Sequence, residues 1–378
     1  MPDRIFVVAG ARPNFMKIAP LMRELKQHKK CFRPYLIHTG QHYDPAMSDI
    51  FFRQLQIRPP DVHLNVGSAS HAVQTARIMT AFEKILERGA PRLVIVVGDV
   101  NSTLACSLVA AKFGIKVAHV EAGLRSFDPG MPEEINRRIT DHLSDYLFVT
   151  EPSGIKNLKH EGIADSKIFS VGNIMIDTLR SSMPRIEQSR ILSRLAQKAD
   201  IRLQPRHYAV LTLHRPVNVD RKKSLQDFYA ILSDISARLP VIYPVHPRTA
   251  KSLCRHGFLK KFRSIPNLIM TPPVGYLDFI HLVKKARLVL TDSGGIQEET
   301  TVLKIPCVTM RTTTERPITV TQGTNYLTGT DKRLIQKTVC LILDNRAKKG
   351  RRPRLWDGRT AQRIVRILLK RQKTQKGI

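Results

Sequence analysis

Acidic residues are scarce in this chain: 31 Asp and Glu stand against 62 Lys and Arg, a formal net charge of +31. An excess of that size raises a polyanionic partner such as nucleic acid or a membrane surface. The cations are nevertheless spread along the chain, and no nucleic-acid-binding module accompanies them, so nucleic acid is not an expected partner. The densest groups, residues 347–354 and 370–376, read as a surface loop and a frayed tail. A solvated basic surface that helps to attract a diphosphate is the expectation.

Cysteine is sparse as well. Cys31, Cys106, Cys254, Cys307 and Cys340 lie far apart with no Cys-x-x-Cys. Such a set excludes a disulfide framework and a structural zinc site, and it suits a reducing cytoplasm. No apolar run reaches the roughly 18 residues that a membrane span needs. The start runs from Met1 directly into a strand-like segment, without the pattern of a secretory signal. Three familiar signatures are also missing: G-x-G-x-x-G after a strand, G-x-x-x-x-G-K-[ST], and G-x-S-x-G. Their absence sets aside a dinucleotide cofactor, a Walker loop and a nucleophile elbow.

What is present is an α/β rhythm. The 378 residues are 42% hydrophobic and 25% charged, a globular composition long enough for two domains. Short β-branched runs alternate with longer amphipathic stretches, which implies βαβ units and parallel sheets. The strand candidates in the first half are Ile5–Ala9, Pro34–His38, Leu93–Gly98, Val117–Glu121, Tyr146–Val149 and Ile168–Val171. A charged helical stretch follows, from about Ile174 to Ala199. The second set is Tyr208–Leu213, Val241–Val245, Leu268–Thr271, Leu288–Thr291 and Cys307–Met310. The expected domains are residues 1–172, with a last helix at about 357–372 packing back on them, and residues 173–356. Both are Rossmann-like and face a central cleft. In open parallel sheets ligands bind beyond the carboxyl ends of the strands, so polar residues at strand exits are the candidates.

Six exits carry them. Gly10-Ala-Arg12-Pro-Asn-Phe-Met-Lys17 is a tight turn into a helix start with two cations, suited to an anion. Val96-Val-Gly98-Asp99-Val-Asn101-Ser-Thr offers Asp99 as a base, a hydroxyl ligand or a helix cap. His119-Val-Glu121, followed by Arg125, Glu133, Glu134 and Arg137, offers carboxylates for acid–base work or for salt bridges. His119 and Glu121 are expected on one strand face. H-x-E also opens the zinc-deaminase signature, but no Pro-Cys-x-x-Cys follows. Thr212-Leu-His214-Arg215-Pro216 places a His-Arg pair at a strand exit. Thr291-Asp292-Ser293-Gly294-Gly295-Ile-Gln-Glu298-Glu299 runs a strand into Ser-Gly-Gly and a helix. Its glycines let a phosphate approach free N–H groups, and Glu299 follows one turn on, within reach of ribose hydroxyls. Arg311 to Pro317 forms another exit rich in phosphate-compatible groups.

In order along the chain, residues 10–17, Thr-Gly-Gln-His at 39–42, Gly-Asp-Val-Asn-Ser-Thr at 98–103 and His-Val-Glu-Ala-Gly-Leu-Arg at 119–125 resemble the non-hydrolysing UDP-N-acetylglucosamine 2-epimerases. So do Pro-Glu-Glu-Ile-Asn-Arg at 132–137, His-Arg-Pro-Val-Asn at 214–218, Val-His-Pro-Arg at 245–248, residues 292–299 and Thr-Glu-Arg-Pro at 314–317. The resemblance implies a glycosyltransferase-B type fold and a homodimer. It implies interconversion of UDP-GlcNAc and UDP-ManNAc through a 2-acetamidoglucal, with neither metal nor redox cofactor. It assigns Asp99, Glu121 and Glu133 as acid–base carboxylates, with His214 also at the reaction centre. Arg12, Lys17, His214, Ser293, Gly294, Gly295, Glu299 and Arg316 would hold UDP, and Phe279 would lie near the uracil. The chain departs from the family's commonest pattern at Ala11, Asn14, Pro216-Val217-Asn218 and Val73. Alternatives are a UDP-linked 2,3-diacetamido uronic acid as substrate, and a UDP-sugar transferase on the same fold.

Overall fold

The apolar runs form two all-parallel sheets. The computed structural model of the chain describes residues 1–41 and 52–376. The first sheet contains β1 (Asp3–Ala9), β2 (Phe32–His38), β3 (Val62–His63), β4 (Leu93–Val97), β5 (Lys116–Ala122), β6 (Tyr146–Val149) and β7 (Ile168–Ser170). The second contains β8 (Ala209–Thr212), β9 (Val241–Pro244), β10 (Leu268–Thr271), β11 (Leu288–Thr291), β12 (Cys307–Thr309) and β13 (Asn325–Leu327). Each strand expected from the sequence is present, to within about two residues at its ends. The edge strands β3 and β13 were not expected. They are two and three residues long and carry no apolar run.

Central strands such as β4 (LVIVV) and β11 (LVLT) are buried along their whole length, because helices cover both faces of a parallel sheet. The helix His71–Gly89 shows why a local sequence docks as it does. Ser70 caps it by accepting from Val73 N, and Gln74, Ile78, Phe82 and Leu86 recur every fourth residue on its buried side. Ile78 and Phe82 join Phe6, Val8, Val94 and Val96 in the first core. In the second, Phe228, Ile231 and Leu232 pack on Leu211, Val241 and Leu290.

Strand order places the site. It runs β3-β2-β1-β4-β5-β6-β7 in the first sheet and β10-β9-β8-β11-β12-β13 in the second. Chain direction across the sheet therefore reverses between β1 and β4, and again between β8 and β11. The loops leaving those four strands are the switch points where ligands of open parallel sheets bind.

The chain divides into two compact units, Met1–Ser181 with Arg354–Ile378, and Ser182–Pro353. The first division falls inside the helix Ile174–Glu187. The returning segment is tied to the first unit by specific polar contacts. Trp356 is fully buried and donates from Nε1 to Thr150 O at 3.0 Å. Asp177 accepts from Thr360 N at 3.1 Å and Ala361 N at 2.8 Å, which caps the helix Thr360–Lys376 from a separate element.

Candidate active site

At the first switch point the loops after β1 and β4 are stitched together. Asn14, one of the departures noted above, accepts from Gly10 N at 3.0 Å and Ala11 N at 2.9 Å, and donates to Val97 O at 3.1 Å. Lys17 lies on the same helix (Arg12–Gln27), is buried, and forms an ion pair with Glu121. Gly98 has φ +70°, and a methyl group on it would sit 2.8 Å from Lys17 Nζ and 3.9 Å from Glu121 Oε2. The left-handed backbone angle favours glycine there, and a methyl group would have to push the end of the Lys17 side chain aside. The side chain of Arg12 and the whole of His42 lie outside the described residues.

Asp99 pairs with Arg137 of the helix Pro132–Leu143, and Asn136 donates to Asp99 O at 2.9 Å. Arg137 also pairs with Glu134 at 2.6 Å, while Glu134 accepts from Ser126 N at 2.8 Å and Ser126 Oγ at 2.9 Å. Glu133 occupies the first turn of that helix and is half-buried. The first switch point thus brings together Lys17 of the first helix, Asp99 of the loop after β4 and Glu121 at the end of β5, and the helix carrying Glu133 packs against β5.

One expectation is corrected: the regular two-residue alternation that would set His119 and Glu121 on one strand face is interrupted at Glu121. Glu121 has φ +78°, and the pairing register of β5 with β6 shifts between Val120 and Ala122. A left-handed residue breaks the two-residue alternation of a strand. His119 engages Gly98 O and Asp141, whereas Glu121 engages Lys17.

At the second switch point Asp292 organises the turn. It accepts from His214 N and Arg215 N, each at 2.9 Å, and from Asn218 Nδ2 at 3.1 Å, and His214 Nδ1 lies 2.8 Å from its Oδ1. Burial pushes this carboxyl up, but the His214 contact and the two backbone donors outweigh it and bring it to about 2. Ser293 then precedes the helix Gly294–Leu303, with Gly294 and Gly295 in the first turn. A methyl group on Gly294 would lie 2.7 Å from a terminal nitrogen of Arg316, so the guanidinium covers the start of that helix. Arg316 pairs with Glu298 at 2.6 Å and approaches Glu315 at 3.4 Å. Arg311 grips Glu315 through two bonds of 2.9 and 2.7 Å, and Arg215 stands 3.7 Å from it. Three guanidinium groups therefore surround two buried carboxylates beside a helix N-terminus, an arrangement suited to an added anion.

Glu299 is buried one turn into the helix. Burial, with Glu298 beside it, raises its carboxyl to about 8 despite a hydrogen bond from Tyr276. Phe279 is half-buried on the helix Tyr276–Lys285 and packs on the second unit's core near Val210, Leu282 and Val283. Reading the sequence named the Arg311 to Pro317 exit but not the pairing of Arg311 with Glu315, and it did not single out Asn14, Asp141 or Tyr276 as working groups. The Arg311–Glu315 pair had a local signal, two opposite charges in one strand-exit segment, and the other three had none. Among the described residues, no group of three or more His, Cys, Asp and Glu is placed to hold a metal ion, and no helix is long and apolar enough to cross a membrane.

Comparison with known proteins follows the same span. The family described as UDP-N-acetylglucosamine 2-epimerase matches residues 23–369. A Methanococcus maripaludis protein named UDP-N-acetylglucosamine 2-epimerase homolog is 43% identical over 367 residues, covering 97% of this chain and 99% of its own. The UDP-2,3-diacetamido-2,3-dideoxy-D-glucuronate 2-epimerase of Pseudomonas aeruginosa is 39% identical over 335 residues, covering 88% and 90%. Among solved structures, the Methanocaldococcus jannaschii UDP-GlcNAc 2-epimerase in complex with UDP-GlcNAc and UDP superposes with a TM-score of 0.89 at 41% identity, covering 97% of this chain and 99% of that one.

Proposed function

The chain belongs to the UDP-N-acetylglucosamine 2-epimerase family of isomerases, and from that premise we propose that it interconverts UDP-GlcNAc and UDP-ManNAc. The proton on C2 leaves to a carboxylate, the C1–O bond breaks, and UDP departs with that electron pair to leave a 2-acetamidoglucal. UDP then adds back to C1 while C2 takes a proton on the opposite face. A C2 proton is weakly acidic, so the step needs a stabilised leaving group. Its counterpart is an acid and a base in separate settings.

We assign the diphosphate to the start of the helix Gly294–Leu303, held by Ser293, Gly294, Gly295, His214 and Arg316, with Glu299 toward the ribose and Phe279 toward the uracil. Arg12 and Lys17 are assigned to UDP by the family resemblance alone. Asp99, Glu121 and Glu133 are assigned to proton transfer. The observation that carries this reading is the Arg316 guanidinium lying over Gly294 at a helix N-terminus, where developing negative charge on UDP would be met by a cation and free N–H groups together. The 39% identity to the P. aeruginosa enzyme favours one second reading, C2 inversion of a UDP-linked 2,3-diacetamido uronic acid. A cytoplasmic homodimer is the form this reading carries, and light scattering of the purified protein checks the assembly.

The deciding experiment is incubation with UDP-GlcNAc in deuterated water without an acceptor, followed by NMR of the products. Deuterium at C2 with UDP-ManNAc appearing is the expected result. Retention of the C2 proton would overturn the reading, and sugar transfer that appears only with an added acceptor would point to a transferase. Free ManNAc would indicate hydrolysis in place of re-addition.

A further inference from the structure

Behind the first switch point sits a buried ionic group to which the proposed reaction gives no role. His119 is fully buried on β5. Its Nε2 lies 2.7 Å from Gly98 O and its Nδ1 lies 2.7 Å from Asp141 Oδ1. A backbone carbonyl only accepts. Asp141 acts as an acceptor too: its other oxygen takes Gly123 N at 3.0 Å and Arg125 at 2.7 Å. With an acceptor at each ring nitrogen, both nitrogens must carry hydrogen. Arg125, the other cation on Asp141, is itself shared with Glu161 at 2.6 Å, and Arg138 approaches Glu161 at 3.8 Å.

We propose that His119, donating from both ring nitrogens to Asp141 and to Gly98 O, acts with Asp141 as a positioning residue for the carboxylates of Asp99 and Glu121. The proposal rests on the functional reading above for the roles of those two carboxylates. Gly98 is gripped from both sides by β5, its N–H donating to Val120 O at 3.1 Å and its carbonyl accepting from the His119 ring. That grip fixes the residue directly before Asp99. Asp141 holds Gly123 N, which fixes the chain just beyond the left-handed Glu121. The same helix carries Arg137 one turn earlier, and Arg137 takes the Asp99 side chain. One charged hydrogen-bonded unit therefore sets the spacing of two strand exits. A displacement of about 1 Å between reacting groups costs on the order of 10²-fold in rate.

The test has a spectroscopic arm and a kinetic arm. In wild-type protein with ¹⁵N-labelled histidine, with His119→Gln identifying the signal, His119 should show two protonated ring nitrogens at neutral pH. A single protonated nitrogen overturns the proposal, whatever the enzyme turns over. In the kinetic arm, His119→Gln and Asp141→Asn should each lower kcat for C2 exchange on the order of 10²-fold, with KM and the dissociation constant for UDP within about twofold. The double variant should lose little more than either single one, as expected of groups acting as a unit. Variants that melt earlier but exchange at the wild-type rate per folded molecule would reduce the group to structural support and overturn the proposal. A wild-type protein that never exchanges C2 would fail the functional reading, while the ring-nitrogen signals would still decide the charge on His119.

Discussion

The two sheets reverse strand order at the same topological place, yet their exits are charged in opposite ways. In the first unit Lys17 pairs with Glu121, and Arg137 is shared between Asp99 and Glu134. In the second, Arg215, Arg311 and Arg316 converge on Glu315 and Glu298 beside a helix N-terminus. Carboxylates that match or outnumber their cations leave acids that can exchange protons. A surplus of guanidinium groups leaves a place that an anion completes. The lesson is that a repeated fold supplies equivalent positions, and the local charge count divides the chemistry between them.

The division breaks most visibly at Glu121. Glu121→Gln keeps the shape and removes the base, so kcat for C2 exchange should fall on the order of 10² to 10⁴-fold with UDP affinity near the wild-type value. Equal losses in rate and in calorimetric UDP affinity would show that the two exits are not separate. Arg316→Ala is the converse and should act on affinity. Losing a charge-assisted contact at the helix start should weaken UDP binding about tenfold to a hundredfold. Unchanged UDP binding would remove the anion from the second exit.

Legibility in the sequence follows the same line between local and distant signals. The Ser293-Gly294-Gly295 helix start could be read directly, because a strand, two glycines and a helix are consecutive in the chain. The long strands were legible for the same reason. The two-residue β3 and the three-residue β13 were not, since edge strands need no apolar run. Glu121 could be named from its place at a strand exit, but nothing in His-Val-Glu announces φ +78°. Glu133 and Glu134 are adjacent and alike in sequence. On a helix they point about 100° apart, and only folding shows that Glu134 is the one buried against Ser126 and Arg137. The His119–Asp141 contact spans 22 residues and has no local signature at all.

A smaller perturbation sharpens the contrast. In Gly294→Ala the new methyl meets the end of the Arg316 side chain at 2.7 Å, and a flexible guanidinium can move aside. Thermal stability should change little, while UDP affinity should drop about threefold to tenfold because the cation no longer covers the helix start. A calorimetric titration beside a melting curve separates the two effects. A large loss of stability without a change in affinity would mean that the glycine serves the turn alone.

The smallest expected effect concerns the pH dependence of stability, and it contrasts two carboxylates on one connection. Asp292 is held at about 2 against an ordinary 3.8, so its contribution is present above 3.8 and is lost as the pH falls through 2. Glu299 behaves in the reverse sense. Unfolded it releases its proton near 4.5, and folded it keeps the proton up to about 8. Between those values the folded protein binds more protons than the unfolded chain, so its stability is full below 4.5 and falls as the pH rises through 8. Melting of the wild-type protein without nucleotide should therefore drop by a few degrees between about pH 5 and pH 9. Glu299→Gln should remove that slope, because a neutral amide has nothing to ionise, while Asp292 adds no slope in this range. A wild-type slope that persists unchanged in Glu299→Gln would show that Glu299 enters the folded state already ionised.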